Sequence, residues 1–201
     1  MPVRGVLWDV GNVIVRWDPR TLYSKIFDDP AERDWFLTHV CTPAWNTEFD
    51  RGRPFEDGIA ELTGAHPAYA PQIAAWRARF MEMISGTISE SETAIASLAA
   101  RGVTQFGLTN MTQEIWPRVR ALSPAFDHFS DVVVSGAEKL IKPDPAIFHL
   151  TCERIGMPST DLLFIDDSAA NIAVADRLGF ATWHFTDPGQ VIPALEARGL
   201  L

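Results

Sequence analysis

Leu162-Leu163-Phe164-Ile165-Asp166-Asp167-Ser168 holds the clearest strand in this sequence. Four apolar residues in a row, with no polar alternation, suit a strand covered on both faces, as in a parallel sheet. The run stops on two adjacent carboxylates. Ala169 to Leu178 then reads as a helix ended by Gly179. The same grammar recurs elsewhere. Val3 to Asp9 reads as a strand whose apolar run Val6-Leu7-Trp8 ends on Asp9, with Gly11-Asn12 beyond it. Val103 to Leu108 reads as a strand ending on Thr109-Asn110, and Asp131 to Val134 and Phe180 to Phe185 as two more. Helices are predicted over Ser89 to Ala100 with Gly102 as C-cap, Gln113 to Leu122, Asp144 to Ile155 ended by Gly156, and near Val191 to Ala197. Strands alternating with helices predict parallel pairing through right-handed crossovers. The expected fold class is therefore α/β, a doubly wound parallel sheet of Rossmann-like form.

Residues 18–85 follow another rhythm. Leu22, Ile26 and Phe27, then Trp35, Phe36 and Val40, recur at helical spacing, and Pro30, Pro43, Gly52, Pro54, Gly64, Pro67 and Pro71 cut the stretch into short pieces. Asp29-Pro30 reads as an N-cap followed by proline at the first helical position. The expected organisation is an α/β core of residues 1–17 and 86–201 with a helical cap of residues 18–85. That cap leaves the chain beside Asp9 and is placed to act as a lid.

The chain has 201 residues and a formal net charge of -9, which argues against a nucleic-acid partner. No apolar stretch approaches the ~20 residues a membrane helix needs. Met1-Pro2-Val3-Arg4 shows no signal-peptide pattern, so a cytoplasmic location is expected. Cys41 and Cys152 lack metal-ligand spacing and read as packed free thiols. The histidines at 39, 66, 128, 149 and 184 show no ligand pattern and read as packing or surface residues.

The strand-end residues suggest one chemistry. Asp9 and Asp167 could share a hard divalent cation, with Asp166 reaching it through water, although acids at such positions also cap helices. Thr109 and Asn110 offer a hydroxyl and amide groups to phosphoryl oxygens, and Lys142, in Ile141-Lys142-Pro143-Asp144, offers a positive charge. Alone, each has an ordinary reading as a turn or a surface lysine. Their conjunction in this order points to a phosphoryl group bound beside a metal.

That conjunction resembles the haloacid dehalogenase superfamily over nearly the whole chain. Asp9 looks like the nucleophile of motif I in Leu7-Trp8-Asp9-Val10-Gly11-Asn12-Val13, Thr109 like the motif II hydroxyl, Lys142 like the motif III lysine, and Asp166-Asp167 like the motif IV acid pair. Residues 20–85 resemble a small helical C1-type cap. The closest resemblance is to bacterial phosphatases with Asp-x-Gly-Asn-Val in motif I, which include sugar-1-phosphate phosphatases. The resemblance implies a Mg²⁺-dependent phosphatase acting on a small phosphorylated metabolite. It implies an aspartyl-phosphate on Asp9, metal held by Asp9, the Gly11 carbonyl and Asp167, and phosphoryl oxygens held by Thr109, the Asn110 backbone and Lys142.

One position departs from the family pattern. The second Asp that most of these phosphatases carry, two residues after the nucleophile, is Gly11 here. General acid–base help is worth about 10²–10⁴-fold, so its absence predicts a preference for good leaving groups. A cap residue could supply the missing acid: Asp18 or Glu48, the latter in Trp45-Asn46-Thr47-Glu48-Phe49-Asp50-Arg51-Gly52, where Trp45 and Arg51 are further substrate candidates. The same stretch also reads as an ordinary amphipathic helix. The alternative class is a relative that binds phosphometabolites or a protein without turnover. A 2-haloacid dehalogenase uses the same Asp but leaves Asp166-Asp167 surplus. A phospho-acceptor receiver domain would place its acid pair first. A P-loop enzyme would need a Gly-x-x-x-x-Gly-Lys-Ser/Thr segment, which is absent.

Overall fold

The computed structural model describes residues 3–201. In chain order the elements are β1 (Gly5–Trp8), β2 (Val15–Trp17), α1 (Pro19–Tyr23), α2 (Pro30–His39), α3 (Pro43–Asp50), α4 (Phe55–Ala65) and α5 (Ala70–Ala78). Then come β3 (Ile84–Thr87), α6 (Ser89–Ala100), β4 (Thr104–Thr109), α7 (Trp116–Arg120), β5 (Phe129–Val134) and α8 (Ser135–Glu138). The chain closes with α9 (Pro145–Ile155), β6 (Leu162–Asp166), α10 (Ala169–Arg177), β7 (Ala181–His184) and α11 (Val191–Glu196). The main sheet has five strands in the order β5-β4-β1-β6-β7, every pair parallel. The expected α/β class with a parallel sheet is what the chain adopts.

The strand order puts β1 in the centre, with β4 on one side and β6 on the other. Chain progression reverses across this point, which is where open α/β sheets bind ligands. Trp8 pairs with Gly107 and with Ile165, and the Asp9 amide donates to the Ile165 carbonyl at 2.8 Å. Asp9, Thr109 and Asp166 therefore share one edge of the sheet.

Strand residues alternate between two apolar layers. Leu7, Phe106, Leu108 and Phe164 pack with Ile147 and Phe148 of α9. Val6, Trp8, Leu163 and Ile165 belong to a cluster that includes Ile95 and Leu98 of α6 and runs on to Tyr23, Phe36, Phe49 and Trp76 of the helical segment. The Trp8 indole is satisfied in that layer by Gln105 Oε1 at 3.1 Å, while Gln105 Nε2 donates to the Ile95 carbonyl at 2.9 Å.

Most expected elements appear with ends moved by a residue or two. Asp29 caps α2 by accepting from the Ala31 amide at 2.8 Å, and Pro30 opens that helix. Asp144 caps α9 instead of beginning it, and Gly156 ends it at a φ of 68°, a conformation glycine adopts without steric cost. The helix expected over 113–122 is shorter, because turns precede α7 and Pro117 sits in its first turn. Sequence reading missed an antiparallel ribbon, β2 with β3, in which Val15 pairs with Thr87. Its strands have three and four residues, and Ile84-Ser85-Gly86-Thr87 carries no apolar alternation to announce itself. The ribbon ties the two ends of the helical segment together above β1. Cys41 and Cys152 are free thiols, as expected. Among the described residues no helix is long and apolar enough to cross a membrane.

Replacing Gln105 with Leu is expected to orphan the Trp8 N–H, while the Ile95 carbonyl keeps its helical bond within α6. A buried unsatisfied group costs about 1–3 kcal/mol. Urea unfolding should therefore show a loss on the order of 2 kcal/mol, and an unchanged midpoint would refute the role given to this pair.

Candidate active site

Asp9 follows the last residue of β1, Thr109 ends β4 and Asp166 ends β6, so the sheet itself sets their spacing. Lys142 arrives from the loop between α8 and α9, where the Lys142–Pro143 peptide is cis. The Asn110 side chain fixes that loop from both sides. Its Nδ2 donates to the Lys142 carbonyl at 2.9 Å, and its Oδ1 accepts from the Lys142 amide at 2.8 Å. The amide that sequence reading offered to phosphoryl oxygens is thus committed to positioning Lys142, leaving only the Asn110 backbone for that task.

The Lys142 ammonium is buried and has three acceptors: Asp9 Oδ1 at 2.8 Å, Asp166 Oδ2 at 2.7 Å and the Leu108 carbonyl at 2.9 Å. Burial works against its charge, but Asp9 and Asp166 outweigh it and raise its pKa, so it stays protonated. Asp166 is held from several sides. Oδ1 accepts from the Ser168 amide at 2.8 Å and from Asn171 Nδ2 at 2.9 Å, and Oδ2 accepts from Asn171 at 3.0 Å as well as from Lys142. These donors fix the Asp166 carboxylate in place beside Asp9 and Asp167. Asn171, in the first turn of α10, closes the segment Phe164 to Asn171 that resembles motif IV, but it had no role legible in the sequence.

Asp9, Asp166 and Asp167 each bring one carboxylate oxygen to within 4.8 Å of the others. Burial pushes the Asp9 carboxyl above its usual range, with Asp166 and Asp167 adding to the shift and Lys142 opposing it. Asp167 is raised as well, by the packing around its carboxyl and by Asp166, against Lys142 and a hydrogen bond from Asn12. His184 Nε2 lies 2.9 Å from the Asp167 carbonyl and steadies that turn. Three carboxylates facing one ammonium leave a net negative, all-oxygen donor set, which fits a small hard cation such as Mg²⁺.

The helical segment closes the site from above. A cavity of about 90 Å³ lies between Gly11 and Asn110 on the sheet side and Asn46 and Asp50 of α3 on the other. Its remaining wall is largely apolar, from Val15, Trp17, Phe80, Ile84 and Met111. The cap-side acids chosen from sequence are not in this wall. Asp18 caps α1, accepting from the Arg20 amide at 2.8 Å, and Glu48 and Arg51 are exposed. Trp45 packs edge-on against Phe49 and Trp76, with its indole N–H toward the Gly58 carbonyl at 3.3 Å. The acid that faces the cavity is Asp50. At 100° per residue it lies about 200° around the helix from Glu48, so only one of the two can point inward. The signal that could have selected it is that Asn46 and Asp50, at i and i+4, share a face next to the buried Phe49.

Asp50 is held at both ends. Asn46 Nδ2 donates to Oδ2 at 3.2 Å, and Ser135 Oγ donates to the Asp50 carbonyl at 2.6 Å. Gly52, at a φ of 92°, has no room for a side chain, since a Cβ there would come within 2.6 Å of the Gly136 carbonyl oxygen. Burial pushes the Asp50 carboxyl up to about 7, with Lys142 pulling in the opposite direction.

A family model described as haloacid dehalogenase-like hydrolase matches residues 3–179. The chain belongs to that family. The sesquiterpene phosphatase astK of Aspergillus oryzae is 21% identical over 198 residues, covering 98% of this chain and 96% of its own. A phosphoglycolate phosphatase of Yersinia pseudotuberculosis is 31% identical over 104 residues, covering 51% of this chain and 44% of its own. A haloacid dehalogenase family enzyme of Bacteroides thetaiotaomicron, solved with magnesium and inorganic phosphate, superposes with a TM-score of 0.67 at 22% identity. That superposition covers 90% of this chain and 93% of the other.

The raised Asp50 carboxyl has a thermodynamic sign. With an ordinary value of 3.8 when unfolded and about 7 when folded, the folded chain binds the extra proton between those limits. Stability from this group is then greatest at low pH and falls as pH rises through that window. Asp50→Asn, which cannot ionise, is expected to match wild type near pH 4 and to exceed it at pH 8 by on the order of 2 kcal/mol. Thermal melts across that range give the answer, and a pH-independent difference would contradict the burial of an ionisable carboxyl here.

Proposed function

We propose that this hydrolase is a Mg²⁺-dependent phosphatase that cleaves a small phosphate monoester through an aspartyl-phosphate on Asp9. The observation that carries this reading is the contact of the Lys142 ammonium with Asp9 at 2.8 Å, within an acid cluster at the sheet edge. Asp9 is the acid beside both the ammonium and the cavity floor at Gly11, so it is the carboxylate suited to attack phosphorus. Attack forms an Oδ–P bond and expels the ester oxygen with its electron pair, and water later releases phosphate. Asp9, Asp167 and the Gly11 carbonyl would hold the metal, and Asp166 would fix Lys142. Bound Mg²⁺ would offset the charge of the incoming dianion. An entering phosphoryl oxygen would take over the Lys142 proton now given to Asp9, freeing the nucleophile as the substrate seats itself. Thr109 and the Asn110 backbone would complete the cradle.

The phosphatase names of relatives in a fungus and in bacteria support an ester of phosphate. The Asp9-Val10-Gly11-Asn12-Val13 segment supports kinship with sugar-1-phosphate phosphatases, and the partly apolar cavity wall supports a compact leaving group.

Phosphate release from p-nitrophenyl phosphate is expected to need added Mg²⁺ and to stop with EDTA. It should fall by at least about 10³-fold in Asp9→Asn. Turnover that survives EDTA or that substitution would refute the reading. Mg²⁺ binding with no turnover of any phosphate ester would favour a binding protein.

A further inference from the structure

We infer that Asp50 donates the proton to the departing ester oxygen, filling from the helical segment the role that Gly11 leaves without an acid. This deepens the phosphatase reading and rests on it. The first observation is space. A Cβ built on Gly11 would meet no heavy atom within 4 Å, so the sheet side of the cavity is open where a side-chain acid would otherwise project. The second is what stands across that space. Asp50 and Asn46 line the same cavity as Gly11 and Asn110, so an ester oxygen departing from phosphorus on the side of Gly11 meets Asp50 across it. The third is fixation. The Ser135 hydroxyl, itself hydrogen-bonded by the Met111 amide at 2.9 Å, holds the Asp50 carbonyl, and Gly52 seats the next turn against Gly136. Asn46 orients the carboxyl. The acid is therefore set on a rigid element, as proton transfer requires.

Its surroundings suit the task. The wall around it is largely apolar, and burial holds the carboxyl protonated into the neutral range, while the charge that reaches it, Lys142, limits that shift. In the first half-reaction Asp9 forms its bond to phosphorus, the P–O ester bond breaks, and the Asp50 proton passes to the departing oxygen. Asp50 is left as a carboxylate. In the second half-reaction that carboxylate takes a proton from water as the water oxygen attacks phosphorus. The bond from phosphorus to Asp9 breaks, and Asp50 is again protonated. With this acid present, a restriction to good leaving groups no longer follows from Gly11.

The test compares p-nitrophenyl phosphate, whose leaving group needs little protonation, with n-butyl phosphate, whose leaving group needs it. The readout is kcat/KM, which reports the transfer to Asp9. In the full chain with Mg²⁺, Asp50→Asn should lower kcat/KM for the butyl ester by about 10²-fold or more and for the nitrophenyl ester by less than about fivefold. Adding Gly11→Asp to Asp50→Asn, into space already open, should return at least about tenfold on the butyl ester alone. Equal losses on both esters, or no loss on either, would overturn the inference while leaving the phosphatase reading intact. Failure of the wild type to turn over either ester would overturn both.

Discussion

A single buried ammonium organises this molecule. Taking Lys142 out of water costs several kcal/mol, and only well-placed acceptors offset that. The chain provides them from two strands and the residue beyond a third: Asp9 after β1, the Leu108 carbonyl in β4 and Asp166 at the end of β6. The ammonium therefore reports the register of the central sheet. A slip of one residue in either strand pair would turn a carboxylate to the wrong face and leave the charge unpaired. Asn110 and Asn171 matter for the same reason, because one fixes the Lys142 backbone and the other occupies the Asp166 oxygens.

The acid cluster pulls against this arrangement. Asp9, Asp166 and Asp167 present more negative charge than Lys142 neutralises, and the half-buried Asp50 across the cavity carries a raised pKa. A fold selected for stability alone would replace such groups. Natural chains keep them where chemistry needs them, and the price appears as stability lost as pH rises toward neutral. The apolar layers on both faces of the sheet, joined to the aromatic cluster of Tyr23, Phe36 and Trp76, supply the reserve that tolerates it.

The sheet was legible because its strands are buried on both faces. Continuous apolar runs that stop at Asp9, Thr109 and Asp166-Asp167 are what a parallel sheet with polar groups along one edge requires. Lys142 was legible only through its place in the order of motifs, since nothing local separates it from a surface lysine. Asn110 was legible as a site residue, but not its bonds to the Lys142 backbone, which depend on two loops far apart in sequence. The β2–β3 ribbon was hidden by shortness. On α3, Glu48 and Asp50 were equally acidic to a reader of the sequence. What separates them is which way Phe49 faces, and that is settled by packing against Phe55 and Trp45.

The placement of Asp50 also shows why a missing acid at Gly11 does not by itself imply lost chemistry. Proton transfer depends on a position in space within hydrogen-bond reach of the leaving oxygen, not on a position in the chain. The β2–β3 ribbon pairs the two ends of the helical segment, and Asn46 and Asp50 of α3 line the cavity across from Gly11. The contact of Ser135 with the Asp50 carbonyl fixes α3 there. On the proposed mechanism the acid sits in the cover and the nucleophile at the sheet edge, so the reacting geometry would exist only when the two are packed together. The continuous apolar cluster that joins them would thus be part of the catalytic arrangement as well as of the core.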